Sequence, residues 1–183
     1  TGMITLERAK NLDIPRVYLL YLRSFPASER KPFGKILSMM KEGRTDLWII
    51  CKDGRFAGFA STVNSPDLVL LDYFAVCKSL RGQGVGGAAM KMILNRYAPR
   101  GVLVEIESTR IPSDNAAQRE NRKRFYVNSG MTPLGTEGDL FGIRMELLGC
   151  RCMLDFDAYK AFYVNFYTKM AEKHVKPVKE EAQ

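Results

Sequence analysis

The run from Leu68 to Met90 limits the possible folds more than any other part of the chain. Leu68 to Val76 is largely apolar apart from Asp72, the pattern of a strand with both faces covered. A basic, glycine-rich turn follows, and then the small residues Gly86, Gly87, Ala88 and Ala89 open a helical segment. Gly82, Gly84 and Gly86 alternate with other residues, so the backbone can turn tightly and aim several N–H groups at one ligand without Cβ interference. A helix starting near Gly84 adds unpaired N–H groups and a positive dipole end, together favouring a bound charge by about 0.3–1 kcal/mol. Arg81 and Lys78 bring full positive charges. The stretch reads as strand, anion cradle, helix.

Two familiar phosphate loops do not fit it. A P-loop ends in Gly-Lys-Ser/Thr, and Gly84-Val85-Gly86-Gly87-Ala88-Ala89 has no such lysine. The dinucleotide fingerprint is Gly-x-Gly-x-x-Gly, whereas here glycines fall at 82, 84, 86 and 87, and the next strand lacks a single acidic ribose ligand at the expected distance.

The spacing Arg81-x-x-Gly84-x-Gly86, placed directly after Phe74-Ala75-Val76, closely resembles the acyl-CoA-binding signature of the GNAT acetyltransferase superfamily. Farther along, Tyr126 is followed by three residues, Gly130 and the apolar Met131, which resembles that superfamily's helix end. The resemblance covers roughly Ile4 to Leu148. It implies an α/β (α+β) GNAT fold, with a mixed, mostly antiparallel central sheet of six to seven strands and helices on both faces.

The order of elements suits that expectation. Ile4 to Arg8 reads as a strand, and Ile14, Val17, Tyr18, Tyr21 and Leu22 recur at helical spacing after a candidate cap at Asp13. Glu29 to Lys41 reads as a second helix presenting Phe33, Ile36, Leu37 and Met40. Leu47 to Cys51 and Phe56 to Val63 flank the hairpin pair Asp53-Gly54. Leu68 to Val76, Gly84 to Tyr97 and Val102 to Glu107 form a strand–helix–strand crossover, and Asn115 to Ser129 is a polar helix. Thr132 to Gly135 and Phe141 to Leu148 read as a last hairpin. The expected organisation is one domain over residues 3–150, an aromatic C-terminal helix packed on it over 151–175, and a disordered tail over 176–183.

The resemblance assigns roles to particular residues. Phe74, Ala75 and Val76 offer backbone groups to the acyl-pantetheine arm, and Arg81, Gly82, Gln83, Gly84, Val85, Gly86 and Gly87 hold the pyrophosphate. Tyr126 matches the tyrosine that protonates the departing CoA thiolate. The helix that begins near Glu29 usually walls the acceptor site, so Glu29 either binds an amine or complements the helix dipole. Arg119 stands where the superfamily usually has an asparagine, and the long loop Ser108 to Gln118 departs from the pattern.

The residues themselves supply the rest of the chemistry. An alkylammonium is only on the order of 0.1% deprotonated at pH 7, so acyl transfer to an amine needs a base, directly or through water. Asp72 is the first candidate, because it shares a strand face with Phe74; a pair with a nearby Arg or Lys is the alternative. Glu105 and Glu107 share one face of the next strand and could orient an ammonium, relay its proton or form structural ion pairs. Cys77 adjoins the cradle, but the single histidine, His174, lies in the polar tail, which removes Ser-His-Asp and Cys-His mechanisms and disfavours a histidine-based zinc site. No metal is expected.

The sequence therefore points to an N-acetyltransferase that moves acetyl from acetyl-CoA to a primary amine by direct transfer, with a small molecule as the expected acceptor. A non-catalytic acyl-CoA-binding regulator and a protein lysine or N-terminal acetyltransferase are the alternatives. The formal charge of +8 suits an anionic ligand, and without interleaved aromatics it does not single out nucleic acid. No apolar run is long enough to span a bilayer, and the spacing of Cys51, Cys77, Cys150 and Cys152 suggests reduced thiols, so a cytoplasmic location is expected. A homodimer would depend on whether the aromatic C-terminal helix is exposed.

Overall fold

Asp53 and Gly54 take φ of 51° and 75°, the left-handed pair that a two-residue hairpin requires. They join β2 (Leu47–Lys52) to β3 (Arg55–Asn64), which pair antiparallel, and β1 (Ile4–Arg8) pairs antiparallel with the other edge of β2. The structure, a computed structural model, describes residues 2–179 and divides into two units. The first holds residues up to Asn64 together with Leu70–Ala98, and the second holds Ser65–Val69 and the chain from Pro99 onward.

Period-two alternation builds the first unit. Leu47 and Ile49 of β2 face a core shared with Val17, Leu20 and Tyr21 of α1 (Ile14–Ser24) and Ile36 of α2 (Phe33–Lys41). Full burial of each large side chain there stabilises by about 1.5–3 kcal/mol. Trp48 points the other way, donating Nε1–H to the Tyr97 hydroxyl (2.7 Å) at the end of α3 (Val85–Tyr97), and that hydroxyl donates to Asp46 (2.6 Å). Helices thus cover both faces of this unit's strands, as expected.

Two helix starts differ from expectation. The second helix begins at Phe33 rather than Glu29, because Pro32 excludes its predecessor Lys31 from helical backbone. Asp13 accepts from the Lys10 N–H (2.7 Å) and from Arg16 (2.5 Å), so it closes the 3-10 turn Asn11–Asp13 instead of capping α1 with its side chain.

In the second unit β5 (Gly101–Glu107), β7 (Ile143–Cys150), β6 (Thr132–Leu140) and β8 (Val175–Lys176) run in that order, each antiparallel to the next, with α4 (Ala116–Asn128) after β5. The last hairpin turns at Phe141-Gly142 (φ 50° and 87°), not between Gly135 and Phe141. Gly138 lies within β6, paired with Met145, and faces the rings of Phe156 and Tyr159. Gly135, where the sequence ended the strand, is instead a left-handed irregularity (φ 74°) within β6.

The aromatic segment forms α5 (Phe156–Phe162) and then widens to a π-type turn over Tyr163–Tyr167, which the Thr168 N–H closes on Tyr163 O (2.9 Å). Tyr159, Phe162 and Tyr163 are buried in this fold. A four-residue helix, α6 (Ala171–His174), leads into β8. Lys176, assigned by the sequence to the tail, pairs with Asp139, while 180–183 lie outside the described residues. Eight strands and six helices among the described residues make the expected mixed α/β fold, with β8 beyond the count expected.

Candidate active site

Gly82 and Gly84 sit at φ 76° and 79°, backbone that an L side chain resists, and between them they fold the cradle. β4 (Leu68–Val76) leads into it through Cys77, whose N–H donates to Ala57 O (2.8 Å), and a 3-10 turn over Lys78–Leu80. Arg81 Nε donates to Val76 O (3.1 Å), tying the loop to the strand end. Gln83 donates to Ser79 O (3.1 Å) and accepts from Lys52 Nζ (2.8 Å), a cation that the sequence did not bring to the site because it comes from β2.

The first intrahelical N–H of α3 belongs to Ala88, which donates to Gly84 O (3.1 Å). The N–H groups of Val85, Gly86 and Gly87 therefore precede the helical ladder. A Cβ built on Gly87 meets nothing within 4 Å. Packing within the protein therefore does not require glycine there. The N–H groups at the start of α3, its dipole and the charges of Arg81 and Lys52 beside the same loop are the donor chemistry that a diphosphate takes.

On β4, Tyr73 and Ala75 are buried against α1, while Asp72, Phe74 and Val76 alternate onto the half-buried face. Asp72 Oδ2 lies 2.5 Å from Lys31 Nζ, with the two side chains 7% and 12% exposed. Of its two readings, base or partner of a cation, the paired one is observed. The Tyr73 hydroxyl donates to Glu29 O (2.9 Å) and accepts the Lys31 N–H (3.1 Å), and the Tyr21 hydroxyl donates to Lys31 O (2.6 Å). Burial, with the Asp72 carboxylate next, pushes the Tyr73 phenol up, so it remains a neutral donor. Glu29 contributes its backbone carbonyl to this network. Burial also pushes the Cys77 thiol up, which opposes a thiolate nucleophile.

The remaining expected residues lie in the second unit. Tyr126 is half-buried on α4, and burial pushes its hydroxyl up to about 12 against a smaller downward pull from Arg122. Glu105 accepts the Tyr159 hydroxyl, and Glu107 pairs with Arg119 (2.6 Å) and Arg122 (3.9 Å). Both carboxylates thus have partners within the chain, which favours ion-pair and structural roles over a lone acceptor ligand. Lys31, Thr109, Lys123 and Glu146 were not among the expected site residues. Only Lys123 carried a signal, four residues after Arg119 on a helix with little apolar surface.

Among the described residues no three His, Cys, Asp or Glu side chains gather as metal ligands, and no helix is long and apolar enough to cross a membrane. Residues 14–126, more than half the chain, match the family model for acetyltransferases of the GNAT family. A protein from Bacteroides thetaiotaomicron assigned to the GNAT acetyltransferases shares the fold at TM-score 0.72 and 19% identity, over 88% of this chain and 97% of its own. A GNAT acetyltransferase from Elizabethkingia anophelis solved with acetyl-CoA bound aligns at TM-score 0.60 and 15% identity, over 81% and 98% of the two chains. Arabidopsis thaliana Naa50, solved with a bisubstrate analogue, aligns at 0.62 and 12%, over 80% and 97%. No curated protein matches by sequence. The family match and the cradle agree: this chain belongs to the GNAT family of acetyl-CoA-dependent N-acetyltransferases.

Proposed function

We propose that this acetyltransferase acetylates the primary amine of a small molecule by direct transfer. The observation that carries the reading is the restraint of the segment between α1 and α2. The Tyr21 and Tyr73 hydroxyls and the Lys31–Asp72 pair hold residues 29–31 against β4. In this family that segment walls the acceptor site, and one pinned at so many points favours a compact acceptor over an extended polypeptide.

The neutral amine adds to the thioester carbonyl, a C–N bond forms, the C–S bond breaks and the thiolate leaves with a proton. Tyr126 supplies that proton, its hydroxyl kept protonated at neutral pH by burial. Asp72, engaged with Lys31, fixes the acceptor wall, and the proton from nitrogen leaves through water. Phe74 and Val76 offer backbone groups to the pantetheine arm, and residues 81–87 bind the diphosphate.

Thiol release from acetyl-CoA, measured against small primary amines and against short peptides with free N-termini, tests the reading. A higher kcat/KM for small amines supports it. Turnover of peptides without turnover of small amines overturns it in favour of a protein acetyltransferase.

A further inference from the structure

None of the thirteen residues of α4 is fully buried. Arg119, Lys123 and Tyr126, spaced by four and three, form one half-buried stripe, the place where an amphipathic helix carries apolar side chains. Ion pairs hold this stripe instead. Glu146 of β7, only 5% exposed, accepts from Lys123 Nζ (2.8 Å) and from the Thr109 N–H (2.8 Å) and hydroxyl (2.5 Å). Lys123 also donates to Thr109 (3.3 Å). One turn earlier, Arg119 pairs with Glu107 of β5 (2.6 Å) and donates to Asn115 (2.8 Å) and to Ser108 O (3.2 Å).

Apolar packing tolerates sliding, whereas a charge-assisted hydrogen bond holds length and direction. Tyr126 lies three residues beyond Lys123, a rise of about 4.5 Å along the helix. The last anchored turn is therefore the one that carries the tyrosine.

We propose that Lys123 and Glu146 are positioning residues of the acetyl transfer, their pair fixing α4 so that the Tyr126 hydroxyl meets the departing sulfur. The inference rests on the role given to Tyr126 above. Neither residue touches the reacting atoms; each acts through Tyr126.

The test measures kcat and the KM for acetyl-CoA in Lys123→Met, Lys123→Arg, Tyr126→Phe and the double variant Lys123→Met/Tyr126→Phe. Misplacement of a reacting group by an ångström costs up to about 100-fold, so Lys123→Met should lose about 10- to 100-fold in kcat while KM stays within about twofold. Lys123→Arg should restore most of it. In the Tyr126→Phe background Lys123→Met should cost nothing further, an outcome that a purely structural role does not produce. Wild-type kcat in Lys123→Met, or losses that multiply in the double variant, overturns the proposal. Unchanged kcat in Tyr126→Phe instead removes the role given to the tyrosine, and the proposal with it. If Lys123→Met does not fold, Thr109→Val, which removes a Glu146 donor and keeps both charges, should show the same loss of kcat at constant KM; no loss overturns the proposal.

Discussion

Lys31 Nζ contacts Asp72 Oδ2 at 2.5 Å with both side chains largely out of water, joining the segment between α1 and α2 to β4. Such a pair is costly to break from one side, because the remaining charge stays buried without its partner. It also decides what Asp72 can do. With the Lys31 ammonium on Oδ2, an acceptor's proton has to be taken at the other carboxylate oxygen.

Lys31→Met and Asp72→Asn should each destabilise the fold by about 3 kcal/mol, while Lys31→Met/Asp72→Leu recovers most of the loss. Urea unfolding reads this. If the pair holds the acceptor wall, both single variants lower kcat/KM for the amine to a similar degree. Turnover abolished in Asp72→Asn and retained in Lys31→Met would make Asp72 the base.

Gly84 and Gly87 should respond with opposite signs in stability. Gly84→Ala places a side chain at φ 79° and costs about 1–2 kcal/mol. Gly87→Ala, on helical backbone with open space around the new Cβ, gains about 0.5–1 kcal/mol. Both should raise the KM for acetyl-CoA, Gly87→Ala by about tenfold if the methyl displaces the diphosphate from one charge-assisted hydrogen bond. Thermal unfolding and steady-state kinetics on the same preparations check the pair.

Tyr126→Phe should lower kcat by about 100-fold with little change in the KM for acetyl-CoA. With its pKa pushed up to about 12, the wild-type hydroxyl stays protonated through neutral and mildly alkaline pH. An alkaline decline of kcat near pH 8 that vanishes in Tyr126→Phe would contradict the hold that burial has on this proton.

Glu146 gives the fold a dependence on acid. Burial raises its pKa, but Lys123 and Thr109 outweigh burial and hold it below the ordinary 4.5. A depressed carboxyl stabilises fully above its unfolded value, and that contribution is lost as pH falls through the folded one. The stability gap between wild type and Glu146→Gln should therefore be constant above about pH 6 and shrink as pH drops below 4.5. A gap that stays constant to pH 3 would mean that the carboxylate is not held this way.

Local chemistry made the cradle legible: alternating glycines after an apolar strand dictate left-handed turns and a helix start, and both appear at Gly82, Gly84 and Val85. The Asp53-Gly54 hairpin was legible for the same reason. The turn of the last hairpin was not legible: the sequence ended the first strand at Gly135, whereas the chain goes on pairing with β7 as far as Leu140.

Pairings across long separations were not legible. Asp72 could be read as a base or as half of an ion pair, and Lys31, forty-one residues earlier, decides for the pair. Glu105 and Glu107 were visible as neighbours on one strand face, yet their partners come from α5 and α4. The sequence by itself determined the cradle, the element order and the family, since these depend on dihedral preference and on periodicity within a few residues. Only the tertiary structure decided which charges are neutralised and which face of α4 is pinned, because electrostatic energy depends on distance and burial in space, and spacing along the chain encodes neither.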